Sequence, residues 1–342
     1  MRLNSWIITS TLVALLVPGL VTNGARAEDE VKTIGQVERL DPKLDELIPK
    51  DAKIEVLADG FEWTEGPVWV ADGEFVLFSD IPNNRIVKWK EGEGTNVYMQ
   101  PSGYTGTEKF TGREPGTNGL VISPEGHLTM CCHGDRMVVQ MIDGQRKILA
   151  EKYDGKRFNS PNDLVYHSNG DLYFTDPPYG LPKRYEDESR ELDWCGVYRL
   201  SKDGKLELLT KELDRPNGIA FSSDEKTLYV PQSDPEKAIL MAFPVKEDGT
   251  LGEGKVLLDT TKWVGERPGL PDGIKVDTQG NLWMTGPGGV YVLNPEGKIL
   301  GRIDTQNKTA NCAFGPDGTL YMTVDKLFCR IKTNAKGTKV DE

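Results

Sequence analysis

Arg157-Phe-Asn-Ser-Pro-Asn162-Asp163-Leu-Val-Tyr-His-Ser-Asn-Gly170-Asp171-Leu-Tyr-Phe-Thr-Asp-Pro-Pro-Tyr-Gly180 is the stretch whose reading decides the fold. An Asn-Asp pair stands at the mouth of a short apolar run, Leu164-Val-Tyr166. Ser168-Asn-Gly170 supplies a turn, and Leu172-Tyr-Phe-Thr175 alternates as a second strand. Together they predict a β-hairpin with a polar side chain held at its entrance.

The arrangement recurs. Glu65-Gly-Pro-Val-Trp69, Asn118-Gly-Leu-Val-Ile122, Asn217-Gly-Ile-Ala-Phe221, Asp272-Gly-Ile-Lys-Val276 and Asn311-Cys-Ala-Phe314 each lead to a turn and a second apolar strand. Successive polar anchors lie 39 to 55 residues apart. That is the span of a four-stranded propeller blade. Third strands follow in all six repeats, Arg85-Ile-Val-Lys-Trp89 and Gly196-Val-Tyr-Arg-Leu200 among them. Fourth strands follow in five. The sixth has none after Ile331, and an early alternating segment, 53–58, is free to fill the gap. The expected fold is all-β, a six-bladed β-propeller whose last blade is completed by an N-terminal strand. Closure has a physical reason, because an open ring would expose two unpaired sheet edges. The expected division is a signal peptide at 1–27, a lead-in segment at 28–50 and the propeller at 51–342. Three long insertions, 100–115, 179–194 and 263–271, are expected over one face, where binding loops gather.

The leader has a positive Arg2, an apolar stretch from Trp6 to Leu16 and an Ala25-Arg-Ala27 cleavage signal. It is shorter than the roughly 20 apolar residues that span a bilayer. The chain is therefore expected to be exported, periplasmic or secreted, with no stable membrane insertion. The net charge of −12 disfavours nucleic acid and anionic lipid. The five cysteines are Cys131, Cys132, Cys195, Cys312 and Cys329. Cys131 and Cys132 are neighbours and point to opposite faces of a strand, so they do not bond to each other. The fold is not expected to rest on disulfides. A zinc site at Cys132 and His133 lacks partners in a chain with three histidines.

In a propeller the first strand of each blade lines the central channel. The six anchors then form one ring: Glu65, Asn118, Asn162, Asn217, Asp272 and Asn311. Any one of them alone reads as a turn cap. Six in register at one axis form a ring of carboxylates and amides that would be poorly satisfied when dry. A hard divalent cation satisfies it. Oxygen donors favour Ca²⁺, which takes six to eight of them in irregular geometry. Mg²⁺, Mn²⁺ and Zn²⁺ are the alternatives.

The chain resembles the senescence marker protein/gluconolactonase family of six-bladed propellers, in its bacterial gluconolactonase branch. The resemblance rests on Trp63-Thr-Glu-Gly-Pro-Val-Trp69, Thr117-Asn-Gly-Leu120, Arg157-Phe-Asn-Ser-Pro-Asn-Asp163, Phe174-Thr-Asp-Pro-Pro-Tyr-Gly180, Arg215-Pro-Asn-Gly218, Pro271-Asp-Gly273 and Thr285-Gly-Pro-Gly-Gly289. It implies that Glu65, Asn217 and Asp272 are metal ligands. Asn162 is a ligand or a substrate contact, and Asp163 is a buried group orienting the neighbouring amide. Asn118 and Asn311 are implied as groups behind the ligands or as substrate contacts, and Arg157 as a substrate-binding arginine; His133, at a strand end, is a further candidate substrate contact. Members of the branch commonly carry Cys-Glu-His-Gly where this chain has Cys131-Cys132-His133-Gly134.

The resemblance implies hydrolysis of a sugar lactone by water attack on a metal-polarised carbonyl, with Asp272 as the general base. A nucleophilic Asp272 is the other route. No G-x-S-x-G elbow, dinucleotide fingerprint or phosphate loop is present. The alternative functions are an arylesterase- or phosphotriesterase-like calcium hydrolase and a non-catalytic calcium- or sugar-binding propeller.

Overall fold

Strand Leu172–Asp176 shows how the residues build the molecule. Its side chains alternate in direction, as in any strand. Leu172 and Phe174 pack toward the blade before it, and Tyr173 toward the blade after it. Both faces are covered, so the strand is apolar throughout rather than amphipathic.

The computed structural model describes residues 31–338. The leader expected at 1–27 lies outside the described residues. Six antiparallel sheets follow in chain order. Blade 1 is Thr64–Val70, Phe75–Asp80, Arg85–Lys90 and Gly94–Met99. Blade 2 is Thr117–Ile122, Leu128–Cys132, Met137–Ile142 and Gln145–Ala150. Blade 3 is Leu164–Tyr166, Leu172–Asp176, Gly196–Leu200 and Leu206–Thr210. Blade 4 is Ala220–Phe221, Thr227–Asp234, Lys237–Pro244 and Lys255–Asp259. Blade 5 is Ile274–Val276, Leu282–Gly286, Gly289–Leu293 and Ile299–Asp304. Blade 6 has Thr309–Phe314, Thr319–Val324 and Leu327–Lys332 from the C-terminal end. Its fourth strand is Ile54–Ala58, paired antiparallel to Leu327–Lys332. The expected closure by an early strand is the one observed.

Six hydrophobic clusters among the described residues mark six seams. Val68 and Leu77 meet Leu120 and Met130 between blades 1 and 2. Later seams repeat the pattern, and the last joins Phe78 and Trp89 of blade 1 to Tyr321 and Phe328 of blade 6. The ring is therefore closed by packing as well as by strand pairing.

The stretch expected as a lead-in adds two strands. Thr33–Ile34 pairs outside Ile54–Ala58 on blade 6, and Gln36–Arg39 pairs with Ile299–Asp304 on blade 5. Gly35 turns the chain between them at φ +57°, where a Cβ would lie 1.9 Å from the Asp304 carbonyl oxygen. The one-turn helix Leu44–Leu47 buries Leu44, Leu47 and Ile48 against the seam between blades 5 and 6. All five cysteines are free and buried. No helix among the described residues is long and apolar enough to cross a membrane.

Candidate active site

Each anchor is aimed at the axis by local backbone chemistry. In blades 3, 4 and 5 the anchor N–H donates to its own second strand: Asn162 to Thr175 O at 2.8 Å, Asn217 to Pro231 O at 2.9 Å, Asp272 to Thr285 O at 3.3 Å. In blades 1, 2 and 6 the inner strand carries a register shift beside Glu65, Asn118 and Asn311. Such shifts re-aim a side chain. The glycine after four of the anchors has its own reason. A Cβ on Gly66 would lie 2.1 Å from the Asn118 carbonyl oxygen, and one on Gly273 would lie 2.1 Å from Asn311 Oδ1. Neighbouring blades approach too closely there for a side chain. A hydroxyl from the second strand of blades 1, 3 and 5 then clamps the next blade: Ser79 Oγ donates to Asn118 O at 2.8 Å, Thr175 Oγ1 to Asn217 O at 2.6 Å, Thr285 Oγ1 to Ala310 O at 2.9 Å.

Five of the six anchors, Glu65, Asn118, Asn162, Asn217 and Asp272, line one cavity of about 690 Å³. Asn118 Oδ1, Asn162 Oδ1 and Asp272 Oδ1 are inaccessible and accept no hydrogen bond. Glu65 Oε2 accepts from Gly66 N at 2.8 Å. Asn217 Nδ2 donates to Ser233 Oγ at 2.8 Å, which fixes its amide plane. Buried oxygens rarely lack a donor. Several in one place are a cradle for a positive ion, and this donor set fits a hard divalent cation. Among the described residues no group of three or more His, Cys, Asp or Glu side chains converges. The cradle is two carboxylates plus amides.

Burial first, and then the nearby Asp163 charge, push the Glu65 carboxyl up to about 8, against the pull of the Gly66 N–H. Asp272 is raised well above the usual carboxylate range by burial, then by Glu65 and Asp163. Glu65 and Asp272 thus resist ionising together.

Not every expected residue faces the cavity. Asn311 does not line it: its Oδ1 accepts from Cys312 N at 2.9 Å and its Nδ2 donates to Asp163 Oδ2 at 3.3 Å. Asp163 therefore steadies the amide of Asn311, whereas the sequence pointed to that of Asn162. Asn162 Nδ2 instead stands 3.5 Å from His133 Nε2. His133 is fully buried behind the wall, with Nδ1 3.2 Å from Glu114 Oε2 but out of line for a hydrogen bond. It is Glu114 that reaches the cavity, where Arg184 approaches it at 3.6 Å. Arg157 is exposed and lies outside this cavity, on a two-stranded hairpin with Lys152–Tyr153. The Asn159-Ser-Pro161 segment separates it from the axis, so alignment on the motif alone misplaces it.

Sequence reasoning missed Trp63, Glu114, Tyr179, Arg184, Arg215, Ser233, Arg267 and Lys308, which also line the cavity. Tyr179 carries a buried hydroxyl without a partner. Ser or Thr recurs at one place in the second strands as Ser79, Thr175, Thr285 and Thr323, but blade 4 has Pro231 there, and Ser233, two residues on, carries no such signal. Most of the others sit on the three insertions, where no period exists to read.

Fold and site define a closed six-bladed β-propeller with an oxygen-lined pocket at one end of its axis. The chain belongs to the SMP-30/gluconolactonase/LRE-like family, whose pattern it matches over residues 63–326. A gluconolactonase from Zymomonas mobilis is 37% identical over 339 residues, covering 95% of each chain. A pentonolactonase from Haloferax volcanii is 27% identical over 267 residues, 76% of this chain and 80% of that one. Among solved structures, a gluconolactonase from Xanthomonas campestris superposes with a TM-score of 0.77 at 32% identity, over 88% of this chain and 97% of that one.

Proposed function

We propose that the chain opens sugar 1,5-lactones to the aldonic acid, with water as the nucleophile and a divalent cation, Ca²⁺ first, in the oxygen cradle. At the coarser level it is a lactone-hydrolysing enzyme, a hydrolase of carboxylic ester bonds. The observation that carries the finer reading is the set of donorless oxygens on Asn118, Asn162 and Asp272 at the wall of one cavity. The volume suits a small molecule, since such sites run to about 300–1,000 Å³.

Glu65, Asn162, Asn217 and Asp272 would hold the ion, with Asn118 beside them. When bound, it would supply Lewis acidity toward a lactone carbonyl and offset the two carboxylates. The protein's own part is positional and basic. Ser233 holds Asn217, and Gly66 holds Glu65, so the cradle is preformed. Asp272, at the cavity wall, is the group placed to take the proton of the attacking water. Rim cations Arg184, Arg215, Arg267 and Lys308 stand over the opening and can hold the hydroxyls of the sugar.

The test is turnover of D-glucono-1,5-lactone with and without chelator, beside aryl esters and phosphotriesters. Chelator-sensitive lactone opening supports the reading. Preference for aryl esters or phosphotriesters moves the chain to the rival hydrolase class, and turnover indifferent to chelator removes the metal. We also propose export through the leader at 1–27. Mass spectrometry of the native protein should then find Glu28 as the first residue, and an intact Met1 in the mature protein would contradict it.

A further inference from the structure

A second cavity, of about 430 Å³, is lined by Tyr104 and Phe110 from insertion 100–115 and by Arg136 and Arg157. The two rings stand 5.1 Å apart at 53°. Arg136 is only 4% exposed. Its Nε donates to Phe158 O at 2.7 Å and its Nη1 to Ser189 O at 2.9 Å. Its Nη2 is buried with no partner. Arg157 is exposed, and its guanidinium donates to the Asp135 carbonyl oxygen at 3.1 Å.

Neither guanidinium forms an ion pair among the described residues. The acids around them are engaged elsewhere: Asp135, which also lines the cavity, holds Arg146 at 2.9 Å, Glu191 accepts the Arg157 backbone N–H at 2.8 Å, Asp176 accepts the backbone N–H groups of Asn159 and Ser160, and Asp187 those of Lys183 and Ser189. A buried cation with no directly paired acid is costly, and a second cation beside it adds to the cost. Burial, and then the Arg157 charge, loosen the hold of Arg136 on its proton. An anion in the cavity would relieve both effects. A planar carboxylate matches the guanidinium fork. Aromatic faces next to it suit the C–H faces of a polyhydroxy chain.

We propose that this cavity is a second ligand site that takes a small polyhydroxy carboxylate, with its carboxylate on Arg136 and Arg157. That is the chemistry of an aldonate, the open acid that lactone hydrolysis yields. Naming the acid as a product rests on the lactonase reading; the anion site does not. The two cavities share a thin wall at Gly180, where a Cβ would meet His133 Cβ at 2.6 Å. Tyr179, next in the chain, lines the first cavity. An acid leaving the first cavity would thus find the second close by.

The experiment is calorimetric titration of the metal-free full chain with sodium D-gluconate, inorganic phosphate and the uncharged polyol D-glucitol. One gluconate per chain is expected, with no glucitol binding, and Arg157→Ala should weaken gluconate about tenfold or more through loss of the charged fork. Arg157 is exposed, so this variant is expected to fold; Asp272→Asn should bind gluconate as wild type does. No gluconate binding up to about 10 mM, or equal affinity in Arg157→Ala, overturns the site. Phosphate binding without gluconate binding overturns the aldonate assignment. Gluconate binding through Arg157 in a protein that turns over no lactone keeps the site and overturns only its link to the reaction.

Discussion

Glu65, which is buried, and Asp272, which is half-buried, are carboxylates of different blades brought together at one cavity wall. Both hold protons more tightly than free acids because burial penalises charge. Replacing Asp272 by Asn keeps the shape and removes one acid. Lactone turnover should fall by about 10²–10⁴-fold, the range for loss of a general base. The metal-free variant should melt no lower than wild type, since a like-charge contact has gone. Near-normal turnover in Asp272→Asn would remove Asp272 from the chemistry. Both residues were legible in the sequence, because each stands where a repeat predicts an inward side chain. Asn311 occupies the same register and yet does not line the cavity. Its amide is held by Cys312 N, Asp163 and Lys275, and side-chain partners leave no periodic trace.

At the scale of elements, Asp176 ties a loop to its blade. Its carboxylate accepts the backbone N–H groups of Asn159 and Ser160, each at 2.8 Å. Burial nevertheless pushes it up to about 7. The sign follows from linkage. A raised folded value means the native state keeps a proton that the unfolded chain releases above about 4, so this contribution to stability is present at low pH and lost as pH rises through about 7. Asp176→Asn removes that slope. The melting temperature of wild type relative to the variant should therefore decline between about pH 4 and 8, and an unchanged difference would refute the assignment. Blade strands were readable from alternation and turns. Thr33–Ile34 and Gln36–Arg39 were not, because they are short, largely polar edge strands that gain their place only by pairing with blades already built. Their roles separate under truncation. A chain starting at residue 41 keeps Ile54–Ala58 and should fold with a lowered melting temperature; one starting at residue 60 leaves blade 6 with an open edge and should aggregate. Equal solubility of the two would show that the closing strand is dispensable.

For the whole molecule, the proposed ion would join Glu65 of blade 1, Asn162 of blade 3, Asn217 of blade 4 and Asp272 of blade 5. The seams around them are already sealed by six hydrophobic clusters, so the disk does not need the ion in order to close. What the ion changes is the centre, where buried oxygens lack donors. Binding there should stabilise the native chain by mass action, about 2.7 kcal/mol when free Ca²⁺ is 100 times its dissociation constant. For a domain of this size that is a rise of roughly 5 °C in melting temperature. Chelator should reverse it. Glu65→Gln and Asp272→Asn should abolish the rise, because each removes a charged donor. Asn311→Ala should lower the starting temperature by breaking the Asp163 contact and yet keep the rise, since Asn311 does not line the cavity. A rise that vanishes in Asn311→Ala and survives in Asp272→Asn would place the ion somewhere other than the ring of anchors.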